Sequence, residues 1–251
     1  MLTQRYALVV IATLLIAGCA KHKTKETMNA EELATKAHAY IKNKRHDDAI
    51  QYVGELISRY PDHAKVGKYK ILLAELQFKA KNYHAAKELY DNFSEFFPAD
   101  KHAQYARYKT ILSSFYQTLP ADCDQSYTEE TARLCKEYLA KSPTSKYSKD
   151  IEKIFAQSQE RLAEKEVYVF DFYLRKQQFD AARSRLAYLK EKFGKEATLE
   201  PRIAYLEYKL ALKEKKYDLA DEHKNKILAS YPNSRIAEMT VQLDNRYNFT
   251  V

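Results

Sequence analysis

One spacing recurs along the chain and constrains its fold more than any other feature. Four segments place an alanine twelve residues before a residue that ends helices: Ala49 and Pro61, Ala86 and Pro98, Ala182 and Gly194, Ala220 and Pro232. Proline cannot continue a helix, and glycine ends one through a left-handed cap. Each segment therefore predicts a helix of about three turns, and its small alanine leaves room for a second helix to pack closely against it.

Composition agrees with a fold made of packed helices. The 251 residues include only four glycines and no tryptophan, but 21 tyrosines. Loop-rich folds and phosphate-binding loops need glycine, whereas packed helices do not. Tyrosine at a helix junction usually buries its ring and satisfies its hydroxyl, so the excess of tyrosine favours core positions. Charged residues make up 30% of the chain, and their interspersed signs are typical of solvated helix faces.

The repeated segments resemble the tetratricopeptide repeat, a helix–turn–helix motif of about 34 residues. Signature positions of the first repeat are occupied by Leu33, Ala37, Tyr40, Ala49, Val53, Leu56 and Pro61. The second repeat has Leu73, Ala74, Phe78, Ala86, Tyr90, Phe93 and Pro98 at its corresponding positions. The resemblance predicts an all-α, right-handed superhelical solenoid of about five tetratricopeptide-like helix pairs with a C-terminal capping helix.

Two kinds of pattern locate helix starts and irregularities. The strings from Asn29 to Glu32 and from Ser126 to Glu129 match capping boxes, which mark helix N-termini. An insertion over residues 118–128 interrupts the third pair. A long helix is predicted over residues 146–176, with apolar residues on one stripe.

The end of the chain predicts a cap for the stack. Ile236, Met239 and Leu243 have one-face spacing on a helix, and such a helix would cover the last apolar face of a repeat array. We expect an N-terminal half over residues 29–117 and a C-terminal half over residues 118–251, with no linker between them.

The first residues predict a lipoprotein signal peptide, residues 1–18. The apolar run over residues 6–17 is too short for a bilayer span, which needs about twenty apolar residues. Its basic start and small-residue end are those of a signal peptide. The string LIAGC, which ends at Cys19, resembles a bacterial lipobox. The resemblance implies cleavage before Cys19, diacylglycerol on its sulfur and an acyl chain on its amino group; an ordinary secretory signal remains the alternative.

Residues 19–28 are predicted to form a lipidated tether, polar and basic after the cysteine. At about 3.3 Å per residue, this tether holds the first helix no more than roughly 30 Å from the lipid. By resemblance to enterobacterial lipoproteins, Ala20 in place of an aspartate favours sorting to the outer membrane, facing the periplasm.

The lipobox, the repeats and the string DCDQS, residues 122–126, together resemble the BamD family of outer-membrane assembly lipoproteins. The string ERLAEKEVYVFDFYLRKQQFDAA, residues 160–182, adds to the resemblance. It implies a non-catalytic scaffold of the β-barrel assembly (BAM) complex. The implied partners are the periplasmic domains of BamA, other BAM lipoproteins such as BamC, and unfolded outer-membrane β-barrel proteins.

The resemblance also implies two surfaces. A groove on the N-terminal repeats would receive the extended, aromatic-ended signal of an unfolded barrel, since rings pack on rings and amines meet a carboxylate. The candidate groove residues, each equally compatible with a core role, are His38, Ile71, Glu75, Phe78, Tyr108, Leu112 and Phe115. Arg185, where the family places an arginine, is the candidate for partner docking, with a solvated helix charge as the alternative.

Other classes of function find less support in the sequence. It holds no P-loop, dinucleotide fingerprint, zincin motif or nucleophile elbow, so we expect no enzyme, no metal and no cofactor besides the lipid on Cys19. The net charge of +8 leaves a second hypothesis, a basic envelope lipoprotein that binds an anionic polymer such as DNA or peptidoglycan. A nucleic-acid partner is not what we expect. Cys123 and Cys135 can either pair in the oxidising periplasm or remain free.

Overall fold

Helices account for most of the chain. The computed structural model describes residues 24–194 and 198–248, and within these ranges no residue is in a β-strand. A short 3-10 turn, Lys25–Thr27, precedes eleven helices: α1 (Ala30–Lys42), α2 (His46–Arg59), α3 (Val66–Lys79), α4 (Tyr83–Phe96), α5 (Ala103–Phe115), α6 (Ser126–Lys141), α7 (Ser148–Arg175), α8 (Phe179–Phe193), α9 (Glu200–Lys213), α10 (Tyr217–Ser230) and α11 (Arg235–Asn248). The predicted all-α fold of five tetratricopeptide-like helix pairs and a final helix is confirmed. Among the helices of the described ranges, none combines the length and the hydropathy that crossing a bilayer requires.

The described residues divide into two compact units, residues 24–97 and residues 98–248. Unit 1 contains α1 to α4, and unit 2 contains α5 to α11. The division falls one helix before the boundary expected at residue 117. The reason is that α5 shares a core with α6 and α7, since Ile111 lies in one apolar cluster with Cys135 and Ile151.

Small residues lie buried where the helices of unit 1 meet. Ala37 of α1 packs with Ala49 and Val53 of α2 and with Leu76 of α3. All four side chains are at most 1% exposed. These alanines allow the short interaxial distances of packed helices, and they include the signature positions that the sequence predicts to be buried.

The chain is anchored to unit 1 before α1 begins. Met28 is buried in a cluster with Leu33 and Leu56, and its carbonyl accepts a hydrogen bond from the hydroxyl of Tyr60 at 3.3 Å. Arg59 donates to the carbonyl of Lys25 at 3.2 Å. The tether predicted over residues 19–28 is therefore shorter at its folded end, because residues from Lys25 onward pack on α2.

The predicted capping box at the start of α1 is confirmed. The side chain of Asn29 accepts a hydrogen bond from the Glu32 amide, and the Glu32 carboxylate accepts one from the Asn29 amide, both at 2.9 Å. Such reciprocal bonds satisfy two N–H groups that the first helical turn leaves without partners. The start of α1 is thus fixed independently of its packing.

Four of the five helix pairs turn at a residue in the left-handed backbone conformation. These residues are Lys44 (φ 56°), Lys81 (φ 63°), Gln177 (φ 58°) and Lys215 (φ 60°). Between α1 and α2, the Lys44 amide donates to Ile41 O and the Arg45 amide donates to Tyr40 O, both at 3.0 Å. This is the Schellman arrangement, whose left-handed position usually holds glycine. The other three turns repeat both bonds.

The long helix α7 connects the two halves of unit 2, and its bounds confirm the predicted helix over residues 146–176. Near its start, Ile151 and Ile154 pack with Cys135 and Tyr138 of α6. Near its end, Phe170 belongs to a second cluster with residues of α8 and α9. One continuous helix therefore takes part in two successive apolar cores.

The final helix α11 covers the last pair as predicted. Ile236 and Leu243 pack against the cluster of α9 and α10 that contains Tyr208. The Tyr208 hydroxyl donates to Asp244 Oδ1 at 3.1 Å, and Lys224 Nζ lies 3.2 Å from Asp244 Oδ2. The cap is thus held by apolar contact and by a half-buried polar network.

Glycine at a left-handed turn position should stabilise the protein. We expect Lys44→Gly to raise the free energy of unfolding by about 0.5–1 kcal/mol. A residue with a Cβ atom is unfavourable in the left-handed conformation by about 1–2 kcal/mol. Glycine avoids this cost, although part of the gain is offset because glycine loses more backbone entropy on folding. Urea denaturation followed by circular dichroism measures the difference.

The matched control is Lys42→Gly, two residues away in the last turn of α1 and also exposed. There glycine should lower the free energy of unfolding by about 0.5–1 kcal/mol. Equal destabilisation by both substitutions would contradict the assignment of strain to the turn.

Candidate partner-binding surfaces

The candidate groove residues of unit 1 lie on α1 and α3. His38 is exposed on α1, whereas Ile71, Glu75 and Phe78 are half-buried on one face of α3, spaced by four and three residues. The Phe78 ring packs edge-on against Tyr83 with ring centroids 5.3 Å apart. This face therefore offers partly exposed apolar surface next to a carboxylate.

The candidate groove residues of unit 2 lie on α5. Tyr108, Leu112 and Phe115 repeat the spacing of four and three residues, and all three are half-buried against the cluster of α6 and α7. Tyr108 stacks on Tyr147 with centroids 4.7 Å apart and planes 7° from parallel. Burial, ahead of the nearby Asp150 carboxylate, raises the pKa of Tyr108. These side chains support the core of unit 2 and also keep part of their surface exposed.

The insertion between α5 and α6 is organised by Gln125, a residue whose role the sequence analysis missed. Its amide nitrogen donates to the carbonyls of Pro120 at 2.7 Å and Cys123 at 3.2 Å. Its amide oxygen accepts from the Thr128 hydroxyl at 2.8 Å. A buried amide that bonds several loop carbonyls gives the loop a fixed shape. The glutamine in the string DCDQS is the sequence feature from which this role could have been predicted.

The predicted capping box from Ser126 to Glu129 is wrong. Helix α6 begins at Ser126 itself, so this residue cannot be the cap, and the preceding Gln125 makes no side-chain cap. Instead Asp124 Oδ1 accepts from the Ser126 amide at 3.0 Å. That backbone hydrogen bond is the main reason why the pKa of Asp124 is lowered.

The insertion is attached to α7 and presents apolar side chains to solvent. Arg161 of α7 donates to the Thr118 hydroxyl, and Lys165 Nζ lies 3.4 Å from the Cys123 carbonyl. Leu119 of the insertion and Tyr116, which follows the last residue of α5, are each about half exposed. A loop held in this way provides a surface of fixed shape for a partner.

Arg185 lies on α8 and reaches across to α7. Its guanidinium Nη1 is 3.4 Å from Glu166 Oε2, with the Arg185 side chain 44% exposed and that of Glu166 16% exposed. An exposed pair of this kind contributes little to stability, typically 0–1 kcal/mol. The guanidinium therefore keeps hydrogen-bonding capacity for a partner's carboxylate.

The two described cysteines are both free thiols, which resolves the alternative that the sequence left open. Cys123 is exposed on the insertion, whereas Cys135 is buried in α6. Burial raises the pKa of the Cys135 thiol to about 12. Lipidation of Cys19 was predicted for a position that lies outside the described residues.

Paired helices closed over small residues define a tetratricopeptide-type repeat protein. The described residues hold no group of three or more His, Cys, Asp or Glu side chains that could bind a metal ion. A family model described as "YfiO: Outer membrane lipoprotein" matches residues 26–210. The chain belongs to this family.

Three relatives of the chain are each named "Outer membrane protein assembly factor BamD". The relative from Rickettsia prowazekii is 24% identical over 186 residues, which cover 73% of this chain and 74% of that protein. The relative from Caulobacter vibrioides is 24% identical over 189 residues, covering 72% and 62%. The relative from Xylella fastidiosa strain 9a5c is 25% identical over 217 residues, covering 81% and 74%.

Two solved structures align with this chain at low identity. A tetratricopeptide repeat protein from Parabacteroides merdae aligns with a TM-score of 0.36 and 14% identity, covering 84% of this chain and 70% of that chain. The type IV pilus biogenesis factor PilW aligns with a TM-score of 0.31 and 16% identity, covering 95% and 93%.

The two cysteines should differ sharply in reactivity. At pH 8 an alkylating reagent should label Cys123 rapidly and leave Cys135 unlabelled, because the thiolate is the reactive species. Peptide mapping by mass spectrometry reads the two sites separately.

Unfolding in urea should expose Cys135 and bring its labelling rate close to that of Cys123, which serves as the internal control. Absence of any labelling at either cysteine before reduction, in native or unfolded protein, would show a disulfide and contradict the structure.

Proposed function

We propose that the chain is a non-catalytic, lipid-anchored scaffold of the outer-membrane β-barrel assembly machinery. The observation that carries the proposal is the family match over residues 26–210, which covers the four helices of unit 1, the first four helices of unit 2 and most of α9. The relatives from Rickettsia, Caulobacter and Xylella are named as outer-membrane protein assembly factors. Helix pairs that expose partly apolar faces are suited to binding polypeptides, so fold and family point to the same class of function.

The proposed anchor is Cys19, with diacylglycerol on the sulfur and an acyl chain on the amino group. Because the chain is attached to unit 1 from Lys25 onward, only residues 20–24 separate the cysteine from the folded protein. Five residues span at most about 18 Å. Unit 1 would therefore lie close to the periplasmic surface of the outer membrane.

The proposed partners bind to different helices of the scaffold. Arg185 in unit 2 is the docking residue for the periplasmic domains of BamA, since its guanidinium is partly exposed beside Glu166. The α3 face with Ile71 and Phe78 and the α5 face with Tyr108 are the surfaces for unfolded barrel substrates. Other BAM lipoproteins bind elsewhere on the same scaffold.

The alternative of binding an anionic polymer has weaker support. Several cations of unit 2 are engaged across helices: Lys190 lies 2.6 Å from Glu207, and Lys209 lies 2.6 Å from Asp171. A polyanion needs cations that release counterions from successive charges. Lysines that are already paired with carboxylates do not supply such a series of available cations.

Depletion of the protein in its native organism tests the proposal. Levels of outer-membrane β-barrel proteins should fall, while other lipoproteins remain unchanged, because only barrels require this assembly route. Quantitative proteomics of the outer-membrane fraction gives the measurement. Unchanged barrel levels would refute the proposal.

Complementation of the depleted strain separates docking from folding. A variant with Arg185→Ala should recover at least fivefold less BamA from detergent-solubilised membranes than the native chain. The matched control, Lys176→Ala, removes an exposed cation from the turn before α8 and should recover the native amount. Equal recovery with both variants would exclude Arg185 as the docking residue.

A further inference from the structure

A pocket opens in unit 2 on a face shared by three helices. Its volume is about 420 Å³, enough for one or two side chains of a ligand. The helices are α7 and α9, which are the first helices of the fourth and fifth pairs, and the capping helix α11. The lining residues are Glu164, Val167, Asp171, Arg202, Tyr205, Leu206, Lys209, Arg235, Ile236 and Met239.

The apolar part of the pocket is contributed by all three helices. Val167 of α7 and Leu206 of α9 are buried, and Ile236 and Met239 of α11 are half-buried. The unbranched thioether of Met239 can adapt to apolar groups of different shape. This part of the pocket is therefore suited to a bulky apolar side chain.

The charges around the pocket are compensated except at one position. Arg202 lies 3.5 Å from Glu164, and Lys209 lies 2.6 Å from Asp171, so both acidic groups have a cation across the α7–α9 contact. Arg235 has no ion-pair partner within residues 24–194 and 198–248. It is also the first residue of α11, where the helix dipole adds positive potential.

Tyr205 adds a hydrogen-bond donor to the pocket wall. Its ring is half-buried, and its hydroxyl makes no hydrogen bond to any residue that the structure describes. Burial, ahead of the Asp171 carboxylate, raises the pKa of Tyr205. The hydroxyl therefore stays protonated at physiological pH and can donate to an acceptor.

We propose that this pocket binds an extended polypeptide segment in which an acidic side chain lies next to a bulky apolar one. The carboxylate would accept bidentate hydrogen bonds from Arg235 and a bond from Tyr205, while the apolar side chain packs on Leu206, Ile236 and Met239.

A polyanion fits the same surface poorly. Its successive charges would meet the carboxylates of Glu164 and Asp171, which lie in the same lining. A polypeptide can instead separate its acidic groups by apolar side chains. The charge pattern therefore favours the polypeptide.

The site extends the proposed function, since it places a second polypeptide-binding position in unit 2. Arg235, Ile236 and Met239 also lie beyond residues 26–210, which the family model matches. The pocket is therefore completed by a part of the chain outside the matched range, and its test does not depend on BamA or barrel substrates.

Fluorescence anisotropy with the full-length chain in detergent tests the proposal. The probe is the end-blocked, labelled peptide GSDFIDSG, which should bind with a Kd below about 1 mM. Peptides GSNFINSG, without acidic groups, and GSDGSDSG, without apolar groups, should each bind at least fivefold more weakly. No binding of the first peptide, or equal binding of all three, would overturn the proposal.

Matched variants locate the site. Arg235→Gln should weaken binding of GSDFIDSG at least fivefold, whereas Arg175→Gln, which removes an exposed charge at the end of α7, should leave the Kd within twofold. Met239→Ala supplies an independent variant away from the helix start and should also weaken binding, with circular dichroism checking the fold. Equal loss with Arg175→Gln, or unchanged binding with both pocket variants, would overturn the assignment.

Discussion

The close approach of two helices at a small, fully buried residue is the constraint on which the structure depends. Ala49, Ala86, Ala182 and Ala220 are at most 1% exposed, and each lies twelve residues before the residue that ends its repeat. The third pair follows the same rule with Thr131, twelve residues before Pro143 and fully buried. Its hydroxyl donates to the Tyr127 carbonyl at 2.6 Å and lies within hydrogen-bond distance of the Ser114 hydroxyl, at 2.9 Å, from which it can accept. At this repeat position the close packing of two helices requires a small side chain, which can be apolar or, when its hydroxyl is hydrogen-bonded, polar.

Four turns between paired helices place a non-glycine residue in an unfavourable backbone conformation. Lys44, Lys81, Gln177 and Lys215 adopt the left-handed conformation that glycine accommodates best. The turn persists without glycine because its two backbone hydrogen bonds and the buried alanine that follows determine the path of the chain. Tertiary packing therefore overrides residue preference at the same place in four pairs, which is why a low glycine content is compatible with so many tight turns.

The fold could be predicted from the twelve-residue spacing, because this spacing gives both the length of each second helix and the position of its small buried residue. The candidate surfaces were less accessible to such reasoning. The role of Gln125 depends on loop carbonyls brought together by folding, and the start of α6 differs from the prediction because Asp124 accepts a hydrogen bond from the Ser126 amide. The pocket with Arg235 required three helices to converge. Helix-face spacing alone placed Tyr108 and Phe115 on one side of α5 but could not show that their rings also support the core.

The proposed function depends on this division between a rigid framework and exposed faces. Within each unit, helices fixed by small buried residues would present Arg185, the α3 face or the α7–α9–α11 pocket as a preformed surface for a polypeptide. The most direct measurement compares unfolding free energies of Ala182→Leu and Ala187→Leu, two substitutions on α8 of which only the first is buried. The account predicts a loss of about 1–3 kcal/mol for Ala182→Leu by overpacking and a change within about 0.5 kcal/mol for Ala187→Leu. Equal effects of the two substitutions would contradict it.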